Sequence, residues 1–140
     1  MRVLLVFAVF CCGTPALTRG DLTAKYGRSN WRQSVPGETA ATLEQFIPAS
    51  GVAVNAKYDS KGIVKELRIG PVTMEGMVRT EVAEKILNQL IPKKSQPPES
   101  SSGMTGACHH VTQGSNDVLT IVREFSDCDP RGMNVTVTWK

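Results

Sequence analysis

Cysteine, histidine and aspartate crowd into one stretch of the chain, CHHVTQGSNDVLTIVREFSDC, residues 108 to 128, which holds both of its histidines. Thiolate and imidazole are the usual ligands of zinc. Cys108, His110 and Cys128 therefore form a candidate metal set. His109 stands outside it, because neighbours in a strand point to opposite faces. A structural zinc site takes four protein ligands at short, paired spacings, and three candidates without a C-x-x-C or H-x-x-x-H pair fall short of that. His109, His110 and Asp117 form a second candidate set, the acid and base groups of a small hydrolase or metal-dependent enzyme. Ser115 is the nearby hydroxyl, but no G-x-S-x-G elbow surrounds it. In DCDPRG, Asp127 and Asp129 have a calcium-loop interval. Arg131 occupies the next ligand position and Thr138 the place of the bidentate glutamate, so the aspartates read as turn residues around Pro130. The glycines at 103, 106 and 114 have neither the spacing of a phosphate loop nor a helix after them.

The opening residues, MRVLLVFAVFCCGTPALTRG, decide between these chemistries. Arg2 precedes ten consecutive apolar residues, Val3 to Cys12, and small and turn-forming residues follow. That is the layout of a secretory signal peptide. A run of ten is too short to span the hydrocarbon layer, which takes about 20 apolar residues. Residues 1–20 are therefore expected to be a leader. Thr14 and Ala16 give a small-x-small pattern for a cut after Ala16, and a cut after Gly20 also remains open. Contact with a membrane is expected only through this leader.

Loss of the leader removes Cys11 and Cys12 and leaves Cys108 and Cys128 alone, and an even pair in an exported chain reads as a disulfide. It also removes Arg2 and Arg19, leaving 14 basic against 13 acidic side chains. A nucleic-acid partner needs a basic stripe that displaces counterions from phosphates, and only Lys93-Lys94 clusters. Nucleic acid is not an expected partner, and no cofactor is expected.

The remaining chain, 21–140, reads as one α+β domain. DLTAKYG, residues 21 to 27, forms a short helix capped by Asp21 and ended by Gly27. Residues 28 to 37 are polar and read as loop, and 39 to 46 could supply another strand, although 38 to 44 would also tolerate a helix. Val52, Val54, Ala56 and Tyr58 alternate with polar or small residues, and Ile63, Leu67 and Ile69 share a face with Lys65 as the exception. Asp59-Ser60-Lys61-Gly62 is turn chemistry between them, so 51 to 70 is a hairpin. VRTEVAEKILNQLI, 78 to 91, changes period to an amphipathic helix stopped by Pro92. KKSQPPESSSGMTG, 93 to 106, carries one large apolar side chain and reads as a mobile connector. Asp117 to Phe125 is apolar on both faces and 133 to 139 on one. These elements add up to an antiparallel sheet of about five strands, with one principal helix packed on its apolar face and a short N-terminal helix. No internal repeat at a fixed period is visible. Asn134-Val135-Thr136 is an N-glycosylation acceptor whose Asn134 is expected to point outward.

The pairing of Cys108 with Cys128 restricts the fold between them. A turn centred on Ser115 would set Cys108 opposite Val122, leaving Cys128 about 20 Å away along the strand. Either the turn falls later, near Asn116 to Val118, or residues 108 to 113 are not a regular paired strand.

The order KYG, GVAVNAKYDSKGIVKELRI, VAEKILNQLIP, then DVLTIVRE between two cysteines and a closing VTVTWK resembles a loose group of small exported bacterial proteins of unassigned function. The resemblance implies export and the disulfide and carries no catalytic motif. The expectation is a secreted or periplasmic, non-enzymatic module that binds another exported or envelope protein. The alternative is the enzyme built on His109, His110 and Asp117.

Overall fold

A computed structural model describes residues 16–35, 37 and 41–140. Most of the expected leader, residues 1–15, lies outside the described residues, as does part of the segment between residues 35 and 41. The chain forms α1 (Arg19–Tyr26), four strands β1 (Trp31–Ser34), β2 (Thr42–Ala49), β3 (Val52–Tyr58) and β4 (Val64–Pro71), then α2 (Thr80–Leu90). A 3-10 turn (Lys93–Ser95) leads to β5 (Glu99–Gly106), β6 (His109–Ser115), β7 (Leu119–Ser126) and β8 (Gly132–Trp139). All eight strands join one antiparallel sheet in the order β1-β2-β3-β4-β8-β7-β6-β5.

The architecture is α+β as expected, but the sheet has eight strands rather than about five. The three additional strands lack the signal that identifies the others. All four residues of β1 and all eight of β5 are exposed, and β6 buries only Thr112 and Gly114. Backbone ladders hold them, and ladders leave no period in side-chain polarity. β1 occupies the stretch read as loop, and β5 with the 3-10 turn occupies the stretch 93–106 read as a connector.

The elements also repeat. A helix followed by a four-stranded meander occurs twice, and the two meanders meet at the β4–β8 seam. Across it Arg68 pairs with Thr136, each the fifth residue of its strand, while the helices are placed differently on the two halves, α1 on β2 and α2 on β8 and β4. No repeat shows in the residues because the halves share a backbone plan and few side chains.

Both helices pack on one face of the sheet, α1 against β2 and α2 against β8 and β4. The core between the layers is formed by Leu22 of α1, Ala83, Ile86 and Leu87 of α2, and Phe46, Val54, Ala56, Leu67, Ile69, Ile121, Val135 and Val137 of the sheet. Thr18 and Asp21 form a reciprocal capping box, so α1 starts two residues ahead of the expected Asp21. Gly27, at φ 76°, ends it as expected. Val78 does not open α2; it bridges to Met133 and fixes where the chain crosses from β4 to the helix.

The β3–β4 hairpin is the one expected, with Gly62 at φ 77° and Asp59 Oδ1 accepting from the backbone N–H of Lys61 and Ile63. A register shift after Lys57 pairs Tyr58 with Val64, so Val64 enters the core in place of Ile63 and Lys65 turns to solvent. Gly114 has a packing reason to be glycine. A Cβ there would lie 2.6 Å from the carbonyl oxygen of Pro98, where the chain entering β5 crosses over β6.

Candidate functional site

The two cysteines sit at the open end of the β6–β7 hairpin. Ser115 pairs with Thr120 and His109 with Ser126. The closing turn runs from Asn116, whose N–H donates to the Leu119 carbonyl at 3.0 Å and whose Oδ1 accepts from the N–H of Val118 and Leu119. The turn is therefore the later of the two alternatives. Asp127 N–H donates to the Cys108 carbonyl at 2.7 Å, and Cys128, one residue on, is disulfide-bonded to Cys108 with Cα atoms 5.3 Å apart. With both sulfurs in that bond neither is a thiolate, so Cys108, His110 and Cys128 do not form a metal set. Among the described residues no group of three or more His, Cys, Asp or Glu is placed to hold a metal ion.

His109, His110 and Asp117 do not come together either. Asp117 lies in the turn at the closed end of the hairpin, beyond Ser115, whereas the histidines lie at the open end; six residues at strand rise separate them by about 20 Å. His110 instead donates from Nδ1 to Asp127 Oδ2 at 2.6 Å, and its ring stacks on Phe125 with centroids 4.5 Å apart and planes 9° from parallel. An imidazole oriented by a carboxylate is the arrangement of a general base. Here the pair also locks the end of the hairpin beside the disulfide. Asp127 escapes a sequence reading because its approach to His110 depends on a strand, β6, that has no apolar period. The cysteine pair carried the available signal, since bonding 108 to 128 brings 110 next to 125–127.

Two polar clusters, each centred on one buried charged side chain, join the layers on the helix face. Arg123 of β7, 8% exposed, donates from Nε to Glu84 of α2 at 2.8 Å and from Nη2 to Gln96 Oε1 at 3.0 Å. Its Nη1 lies 3.8 Å from Glu99 of β5, which also accepts from the Thr112 hydroxyl at 3.1 Å. One guanidinium thus ties α2, the 3-10 segment and the outer strands together. In the other cluster Glu44 of β2, 1% exposed, faces Arg19 Nε at 3.2 Å and accepts from the Tyr58 hydroxyl at 3.4 Å. Glu44 alternates in phase with Phe46, which is the signal that places it inward.

Tyr26 and Tyr58 are the only tyrosines in the chain. Burial pushes Tyr26 up to about 12. Tyr58 is pushed further up by burial and by the negative charge of Glu44. Each phenol is neutral in the fold at a pH where it would ionise in the unfolded chain. Their contribution to stability is complete below the ordinary tyrosine value near 10 and is lost as pH rises through the folded values. We expect no tyrosinate absorbance from the folded protein at pH 10 to 11, and a single rise coincident with alkaline unfolding. Two independent titrations near 10 with the fold intact would contradict the burial of both rings.

The sheet face away from the helices is mixed over β1, β2 and β3, with Gln45 and Ala53 buried and Trp31 and Ile47 exposed. There a side-chain chain runs from Asn30 Nδ2 to Gln45 Oε1 at 2.8 Å and from Gln45 Nε2 to Asn55 Oδ1 at 3.0 Å. Trp31, which pairs with Gln45, is 36% exposed, and Ile47, two residues on along β2, is 38% exposed. Asn134 is on this face but does not point outward as expected. It is buried, and its amide donates to the Gly76 carbonyl at 3.1 Å, which leaves it a poor glycosylation acceptor. None of the described helices is long and apolar enough to cross a membrane. No family model matches the chain, and no curated protein or solved structure matches it either.

Proposed function

We propose that the protein is an exported, disulfide-stapled module, secreted or periplasmic, that binds another exported or envelope protein through the free edge of β1. The observation that carries this reading is the pairing of an open strand edge with an exposed aromatic anchor. A sheet edge offers unpaired backbone N–H and C=O groups to an extended segment of a partner, and neighbouring side chains supply the selectivity.

Among the described residues the sheet has two such edges, and they differ. β5 is interrupted by register shifts between Glu99 and Ser101 and between Met104 and Gly106, the kind of irregularity that discourages strand addition. β1 pairs with β2 in regular register and presents Trp31 and Arg32 to solvent. Tryptophan and arginine are the residues most enriched where binding energy concentrates. With a captured partner, Trp31→Ala is expected to weaken binding at least tenfold, the equivalent of losing about 1.4 kcal/mol. Unchanged affinity in the variant would remove β1 as the binding edge.

A second reading has one observation behind it, the His110–Asp127 pair. Under that reading His110 is a general base, and the protein has a catalytic activity that His110→Ala abolishes while leaving the fold intact. Metal analysis of the purified protein and titration of both histidines by NMR separate the two. An ordinary titration of each ring with no bound metal removes the enzyme reading.

A further inference from the structure

We infer that the leader is cut after Ala16 and that the working chain begins at Leu17, an inference that rests on the export reading above. Sequence leaves two cuts open, and the fold distinguishes them, because residues 17 to 20 belong to it. The Leu17 carbonyl accepts from Val64 N–H at 2.9 Å, and Arg19 N–H donates to the Gly62 carbonyl at 2.9 Å. Between them Thr18 bridges to Ile63, so this segment is laid antiparallel along the start of β4. Thr18 also caps α1, its hydroxyl accepting from Asp21 N–H while its own N–H donates to Asp21 Oδ2. The Leu17 side chain packs against the core.

A cut after Gly20 would remove all of these and, with Arg19, the cation that faces Glu44. That carboxylate is buried beneath the segment, and the cut would strip it of its cation and its cover together, opening this edge of the core to water. The remaining α1 would be six residues with no N-cap, too short to hold itself. A cut after Ala16, which is exposed and precedes the first backbone bond to β4, costs none of these contacts. The leader peptidase reads small side chains at the first and third positions before the bond, and Thr14 and Ala16 supply them.

The test is the intact mass and N-terminal sequence of the protein exported from a cell carrying the full chain. A chain beginning at Leu17 is expected. One beginning at Asp21 overturns the inference while leaving export standing, and an uncut chain retained inside the cell overturns the export reading beneath it. In a parallel measurement, purified chains starting at Leu17 and at Asp21 are melted side by side. The shorter chain is expected to melt lower by about 5 °C or more. Equal melting temperatures would overturn the physical argument for the first cut.

Discussion

Replacing both cysteines by serine, Cys108→Ser with Cys128→Ser, is expected to lower stability by about 3 kcal/mol, from the entropy of closing a loop of this length in the unfolded chain. The bond joins residues with a sequence separation of 20. The double replacement avoids leaving one reactive thiol. The loss is expected to fall unevenly. β7 has Leu119 and Ile121 in the core, whereas β6 buries only Thr112 and Gly114, and β5 pairs with β6 alone. The staple therefore secures the half of the sheet with the weakest hydrophobic support. Urea unfolding of the variant should show the drop, and amide exchange in β5 and β6 should accelerate before that in β3 and β4. A change under 1 kcal/mol with uniform exchange would mean that the staple is incidental.

Leu87→Ala is expected to cost about 3 to 4 kcal/mol. Leu87 is fully buried on α2, which lies over the central strands β8 and β4 where the two meanders meet. Truncation removes apolar contact and leaves a cavity that the paired strands beneath cannot close by moving. Arg123 provides the contrast. It ties α2 to β5 and β6, but Glu84 and Glu99 are part-exposed, so water replaces much of what the guanidinium supplies. Arg123→Met is expected to cost less than half as much as Leu87→Ala in the same urea unfolding experiment. Equal costs would show that the polar tie, rather than the apolar stripe, holds the helix down.

The difference between these two residues parallels what the sequence makes legible. Burial on one face writes a period into the chain, so β3, β4, β8 and α2 can be read directly from Val52 to Tyr58, from Leu67 and Ile69, from Met133 to Trp139, and from Ala83, Ile86 and Leu87. Even there the β-bulge after Lys57 exchanges Val64 for Ile63, a local choice made by packing. β1, β5 and β6 are held by backbone ladders and by polar side chains such as Thr112 and Glu99, and they leave no period. The site follows the same division. The cysteine pair is legible because the expected leader, read from residues 1–20, would place the chain in an oxidising compartment. The Asp127 partner of His110 and the exposed Trp31 on the edge strand are not, since both depend on strands that only the assembled sheet creates.

The proposed binding edge is tested most directly by placing a photoreactive side chain at single exposed positions of the protein, with Trp31 kept, and irradiating it in the native envelope fraction. Position 33 on β1, position 102 on β5 and position 85 on α2 sample the proposed edge, the interrupted edge and the helix layer. One discrete crosslinked product from position 33 is expected, competed away by unlabelled protein and not by its Trp31→Ala variant, with none from 102 or 85. A product from position 102 or 85 with none from position 33 would overturn the β1 edge as the binding surface.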